Sequence, residues 1–180
     1  MITRPPMRYH GGKWKLAPWI IAHLPAHRVY CESFGGAASV LLRKPRAYAE
    51  VYNDLNGDVV NLMRCLREPG LRRELAAAVQ WTPYSRAEFD ATYEPTDDPI
   101  ERARRTLLQA NAGHSTTHQS TRRTGFRSDT SRAGTIPAHD WRSLPPVLLA
   151  IGERLQGVVI EDDDALTVMQ RYDTADTLHY

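Results

Sequence analysis

A glycine-rich turn between two short apolar runs constrains this chain more than any other feature. Val29-Tyr30-Cys31 is bounded by charge and reads as a strand; Phe34-Gly35-Gly36-Ala37-Ala38-Ser39 follows as the turn. Val40 to Arg43 then opens a helix that must stop before Pro45, and Tyr48 to Tyr52 is a second strand closed by Asn53-Asp54. Strand, turn, helix, strand and acid form the opening of a nucleotide-binding α/β unit. In such a unit glycine lets the backbone pass close to a ligand, and a carboxylate after the second strand accepts hydrogen bonds from ribose hydroxyls. Asp54 stands about 20 residues beyond the first strand, where that arrangement places its acid. The turn is not a full G-x-G-x-x-G, because Ala37 and Ala38 stand where more glycine is expected. Gly11-Gly12-Lys13 is no phosphate loop either: the Walker pattern needs glycine where Met7 stands, and Ser or Thr where Trp14 stands.

The rest of the chain alternates in the same way. Leu16 to Leu24 reads as a short helix ended by Pro25, and Leu55, Val59, Leu62, Met63 and Leu66 mark a helical period over Leu55 to Leu66. Leu71 to Val79, Ser85 to Tyr93 and Ile100 to Ala110 continue as helices, with Glu94 to Pro99 as a loop. Residues 111–142 hold no sustained apolar period and are rich in Ser, Thr, Arg, Gly and His; so long an irregular stretch is functional or mobile. Pro146 to Leu155 is a helix, Gly157 to Ile160 a buried strand, Ala165 to Arg171 a helix, and Thr177 to Tyr180 begins a further strand. Alternating strands and helices in 180 residues predict one α/β domain.

Composition removes other classes. Hydrophobic residues at 42% and charged residues at 24% exclude a disordered or fibrous chain. No apolar run approaches the roughly 18 to 20 residues of a membrane span, and the N-terminus carries no secretory signal. Cys31 and Cys65 make neither a disulfide framework nor a zinc site, so a cytoplasmic, reduced protein without a metal is expected. The charges, however, are segregated. Residues 1–48 hold eight basic and one acidic side chain, 49–99 five and ten, 100–152 eight and three, and 153–180 two and seven. Two basic blocks between acidic ones suit a groove that tracks phosphates, although charge blocks are also simply solvated faces.

Arg8-Tyr9-His10-Gly11-Gly12-Lys13, then Tyr30-Cys31-Glu32-Ser33-Phe34-Gly35-Gly36-Ala37-Ala38-Ser39-Val40, then Tyr52-Asn53-Asp54-Leu55-Asn56 together resemble the adenine-N6 DNA methyltransferases of the Dam type. The three motifs occur in that family's order, and similar features continue through Arg122 to Arg127 and Val158 to Ala165. The resemblance implies a Rossmann-like, S-adenosylmethionine-dependent methyltransferase fold with a mostly helical target-recognition insertion. Residues 1–83 would hold the cofactor, 84–145 would recognise the target, and 146–180 would return to the methyltransferase domain. It further implies that Tyr9 packs beside the cofactor, in a place more often held by Trp, and that Lys13 reaches its amino-acid end. Glu32, Phe34 and Gly36 would form the floor, and Asp54 would take the ribose hydroxyls. Asp164 would lie near the cofactor adenine, although the run Asp162-Asp163-Asp164 equally reads as an exposed acidic turn. The partner is double-stranded DNA, for which Arg122, Arg123 and Arg127 are the candidate contacts, because a guanidinium pairs with phosphate or reads guanine. Phe126 or Tyr84 would stack on bases or belong to the core.

One part of the pattern is missing. Family members carry a D/N-P-P-Y/F tetrapeptide that holds the adenine amino group and stacks on the flipped base. The Pro-Pro pairs here are Pro5-Pro6, between Arg4 and Met7, and Pro145-Pro146, between Leu144 and Val147. Neither fits. Tyr180 falls where the tetrapeptide would shortly begin, so no catalytic residue is assigned. The expectation is an incomplete sheet, finished by a second chain or a C-terminal segment, and a chain inactive by itself. The alternative expectation is a non-catalytic DNA-binding remnant. Ser33, where the family has Pro, is a milder departure.

Overall fold

The computed structural model describes residues 2–114, 123–131 and 134–180. Four strands, β1 (Val29–Glu32), β2 (Ala49–Asn53), β3 (Val158–Glu161) and β4 (Thr177–His179), form one sheet. All neighbours are parallel, in the order β3-β2-β1-β4. Glu32 pairs with Tyr52, Asn53 with Glu161 and Cys31 with His179, so the carboxyl ends of the strands lie side by side. The chain runs outward from β1 through β2 to β3, then returns to the other flank of β1. That reversal between β1 and β4 is the place where open parallel sheets form a ligand crevice.

Parallel strands need crossovers, and the helices supply them. Between β2 and β3 lie α2 (Gly57–Arg67), α3 (Pro69–Trp81), α4 (Arg86–Ala91), α5 (Pro99–Ala112), α6 (Pro137–Arg142) and α7 (Leu144–Leu155); α8 (Ala165–Tyr172) joins β3 to β4, and α1 (Ala17–Ala22) precedes the sheet. Their starts are locally encoded. The Asn56 side chain accepts from the Asp58 and Val59 amides at α2, Glu68 from Leu71 at α3, Ser85 from Glu88 at α4, and Asp98 from Ile100 and Glu101 at α5. Proline follows the cap at α3 and α5, where its missing N–H is not needed.

Alternation along the strands divides the sheet into two faces. Tyr30, Tyr52, Val158 and Ile160 join the main core with α2, α3, α5 and α7, a cluster that runs without a break through Phe89, Leu107 and Trp141. Cys31 and Val51 face the other way, against Val168 and Tyr172 of α8. The described residues of 84–145 therefore share the core of the sheet rather than enclosing one of their own. Glu50 is buried on β2, where Lys44 (2.9 Å) and Arg154 (2.6 and 2.9 Å) bind its carboxylate. Burial pushes that carboxyl up, but the bonds from Arg154 and Lys44 prevail and hold it below the ordinary range.

Two local expectations give way. No α-helix forms over 40–43: Ala38 sits at φ 54°, and the Leu42→Ala38 (2.9 Å) and Lys44→Val40 (2.9 Å) backbone bonds close little more than a turn before Pro45. Conversely, α6 lies inside the stretch expected to be irregular. Trp141 anchors it, buried and donating its indole N–H to the Thr82 carbonyl at 2.9 Å. That bond is a tertiary contact, invisible to local periodicity.

Candidate functional site

A cavity of about 340 Å³ opens at the carboxyl ends of β1 and β4, walled by the turn before α1, the turn after β1, and Tyr180. The first wall is Tyr9 to Lys13. Gly12 donates its amide to the Tyr9 carbonyl at 3.0 Å, Gly11 takes φ 73°, and the Lys13 ammonium folds onto the Gly11 carbonyl. The second wall is built around Gly35 and Gly36. A Cβ at Gly36 (φ 48°) would stand 2.7 Å from Tyr9 Cε1, so the two walls meet only because this residue is glycine. A Cβ at Gly35 would stand 2.1 Å from Tyr52 Cε2, whose hydroxyl donates to the Gly36 carbonyl at 2.7 Å.

Asp54 fixes the same turn. Its Oδ2 accepts from the Gly36 amide and its Oδ1 from the Asn56 amide, both at 2.8 Å. A carboxylate has about four acceptor positions, and among the described residues these two amides occupy two of them. Tyr9 lies near enough that burial first, and the Asp54 charge second, push its phenol up. Phe34 on the cavity wall and Leu55 beside Asp54 are 74% and 69% exposed, two large apolar surfaces left open at the strand ends.

Glu32, on the cavity wall, is only 3% exposed. The Tyr30 hydroxyl (2.8 Å) and the Leu41 amide (2.9 Å) both donate to its Oε2. Burial pushes this carboxyl up to about 7, against the opposing pull of those two bonds and of the Lys44 and Arg154 charges. Tyr180 stacks on Tyr30, with ring centres 6.3 Å apart.

Tyr9, Lys13, Glu32, Phe34 and Gly36 thus line one cavity, and Asp54 braces it. Asp164 does not join them. Its side chain caps α8, accepting from the Leu166 and Thr167 amides, while Asp162 pairs with Arg64 (3.1 Å) and Asp163 with Arg171 (2.8 Å). Of the arginines singled out for DNA, Arg122 lies outside the described residues. Arg123 lies over the Tyr93 ring at 5.2 Å, with Glu94 at 3.7 Å. Arg127 acts as a strut: its Nη1 donates to the Asn111 carbonyl (3.1 Å), and its own carbonyl accepts from Tyr84 (2.8 Å). Tyr84 and Phe126 pack on each other, ring centres 5.0 Å apart, beside the core.

Sequence inspection missed Gly35, Leu55 and Tyr180. The Gly35-Gly36 doublet was a usable signal for the first, and adjacency to Asp54 for the second. Tyr180 had none, because its place depends on the pairing of β4 with β1. Among the described residues no group of three or more His, Cys, Asp or Glu could hold a metal ion, and no helix is long and apolar enough to cross a membrane. Residues 9–132 match the model of a family described as D12 class N6 adenine-specific DNA methyltransferase. A comparison with curated proteins finds no match.

Proposed function

The chain belongs to the D12 class of N6 adenine-specific DNA methyltransferases, and from that premise we propose that its cavity binds S-adenosylmethionine and serves adenine-N6 methylation of double-stranded DNA on a Rossmann-like scaffold. One observation carries this reading: segments far apart in sequence, around Tyr9, Glu32 and Asp54, converge on one crevice at the reversal of strand order. The residues fit the cofactor. Lys13 and Glu32 bring opposite charges to one wall, suited to the carboxylate and ammonium of an amino-acid end. Among the described residues both bonds to Glu32 fall on Oε2, so Oε1 retains its capacity to accept. Asp54 accepts from ribose hydroxyls, while Phe34 and Leu55 offer apolar surface to a flat base. Gly36, lacking a Cβ, lets the Tyr9 ring close against the turn and shape the crevice. When bound, S-adenosylmethionine supplies a methyl group activated on a sulfonium centre. Asp164 stays outside this assignment because its carboxylate caps α8.

Residues 84–145 are the segment we assign to target recognition, with Arg123 among its exposed cations. Transfer also needs a group that holds the adenine amine, and neither Pro-Pro pair supplies it. Pro145-Pro146 lies in the first turn of α7, and Pro5-Pro6 lacks the flanking residues.

The expected result follows from the cofactor reading. At a hundredfold excess over its Kd, S-adenosylmethionine stabilises the chain by about 2.7 kcal/mol, a rise of about 5–10 °C in melting temperature. An unchanged melting temperature contradicts cofactor binding.

A further inference from the structure

The basic N-terminal block acquires a direction once burial is considered. Residues 2–53 contain two acids, Glu32 and Glu50, and each is 3% exposed. Every exposed charge on this third of the chain is therefore positive. Several of these cations are already engaged. Lys44 is buried on Glu50, Arg46 donates to the carbonyls of Glu153, Arg154 and Gln156, and Arg4 donates to the Asp140 carbonyl. Arg28 lies over Tyr48 at the amino end of the sheet, away from the cavity, and Lys13 lines the cavity itself.

Arg8, Lys15 and Arg43 stand together about the turn before α1. Arg8 and Lys15 line a second cavity of about 510 Å³, together with His10, Trp14 and Ser39. It shares the Tyr9 to Gly12 turn with the cofactor cavity, and among the described residues no acidic side chain lines it. Arg43 sets its guanidinium 5.1 Å from the centre of the Trp14 ring and donates to the Trp14 carbonyl at 2.7 Å. An aromatic plate is thus flanked by cations.

Cations around an aromatic ring, with no acid among them, suit a chain of phosphates bearing stackable bases. We infer that this second cavity and its rim grip the backbone of the DNA strand that presents its adenine to the neighbouring cofactor cavity, with Lys15 and Arg43 as phosphate contacts. The inference rests on the DNA reading above and places the grip on the N-terminal turn, outside residues 84–145. Lys15 and Arg43 act as positioning residues, since neither lines the cofactor cavity.

The test is titration of wild type, Lys15→Gln, Arg43→Gln and the double variant with a short adenine-containing duplex over a range of salt concentrations. Each single change is expected to lower the slope of log K against log salt by about 0.9, and the double change by about twice that. At 0.1 M salt each single change weakens binding about fivefold to tenfold. The affinity for S-adenosylmethionine stays at the wild-type value in all three. Should Arg43→Gln lose its fold with the Trp14 bond, Lys15→Gln decides alone, because that side chain is exposed. A wild type that binds the duplex, with variants of unchanged slope, overturns this surface and leaves the DNA reading standing. A folded wild type that binds no duplex at low salt overturns both.

Discussion

Gly35→Ala is expected to destabilise the fold by about 3 kcal/mol, lowering the melting temperature by about 6–12 °C. The physical cause is overpacking. The added Cβ would stand 2.1 Å from Tyr52 Cε2, and neither partner has room to yield. Tyr52 is fully buried and tied by its hydroxyl to the Gly36 carbonyl, while the Gly35 amide is tied to the Asn53 carbonyl at 2.8 Å. Relief must come from moving the β1 turn away from β2, which also pulls Gly36 from Asp54. Denaturant titration measures the loss, and a midpoint equal to wild type would show that the turn is not packed on the ring as described.

Glu32→Gln is expected to make the protein more stable above neutral pH and a poorer binder of S-adenosylmethionine. The Glu32 carboxyl is buried and held at about 7, against 4.5 for an ordinary glutamate. Its favourable contribution to stability is complete below pH 4.5, where the group is neutral in both folded and unfolded chains. It is lost as pH rises through about 7, because folding must then bury an anion. The gap between these values corresponds to at most about 3 kcal/mol. Glutamine is neutral throughout, and its carbonyl can accept from Tyr30 and Leu41 as Glu32 Oε2 does. Stability curves for variant and wild type should therefore coincide near pH 4.5 and separate toward pH 8, with the variant higher. Parallel curves would contradict the burial of an ionising carboxyl at this position. A carboxylate kept in so unfavourable a place is consistent with a ligand-binding role, since residues at functional sites often sacrifice stability.

The elements that the sequence made legible are those with local causes. Asn56, Glu68, Ser85 and Asp98 cap helices that an apolar period extends, and the four strands stand between turn residues. Over 40–43 the opposite holds. The backbone is committed to the turn that seats Glu32 and Gly36, and a helical-looking run yields only hydrogen-bonded turns. The helix α6 depends on one buried tryptophan finding a carbonyl 59 residues away. The site divides in the same manner. Tyr9, Lys13, Glu32, Phe34, Gly36 and Asp54 could be named from motif order, whereas Tyr180 required the sheet. The acidic run at Asp162 to Asp164 could not be resolved by inspection, because two ion pairs and a helix cap distinguish its members. Likewise, the charge of residues 1–48 was countable, but its direction depended on the burial of Glu32 and Glu50.

The central claim is that the crevice between the Tyr9 and Gly36 turns is a cofactor site braced by Asp54. Calorimetric titration with S-adenosylmethionine, wild type beside Asp54→Ala, tests it most directly, provided both are shown to be folded by their melting curves. The account predicts saturable one-to-one binding by wild type and an affinity at least about tenfold lower in the variant, the loss of about 1.4 kcal/mol. No heat of binding from folded wild type, or equal affinity in the two proteins, would contradict it.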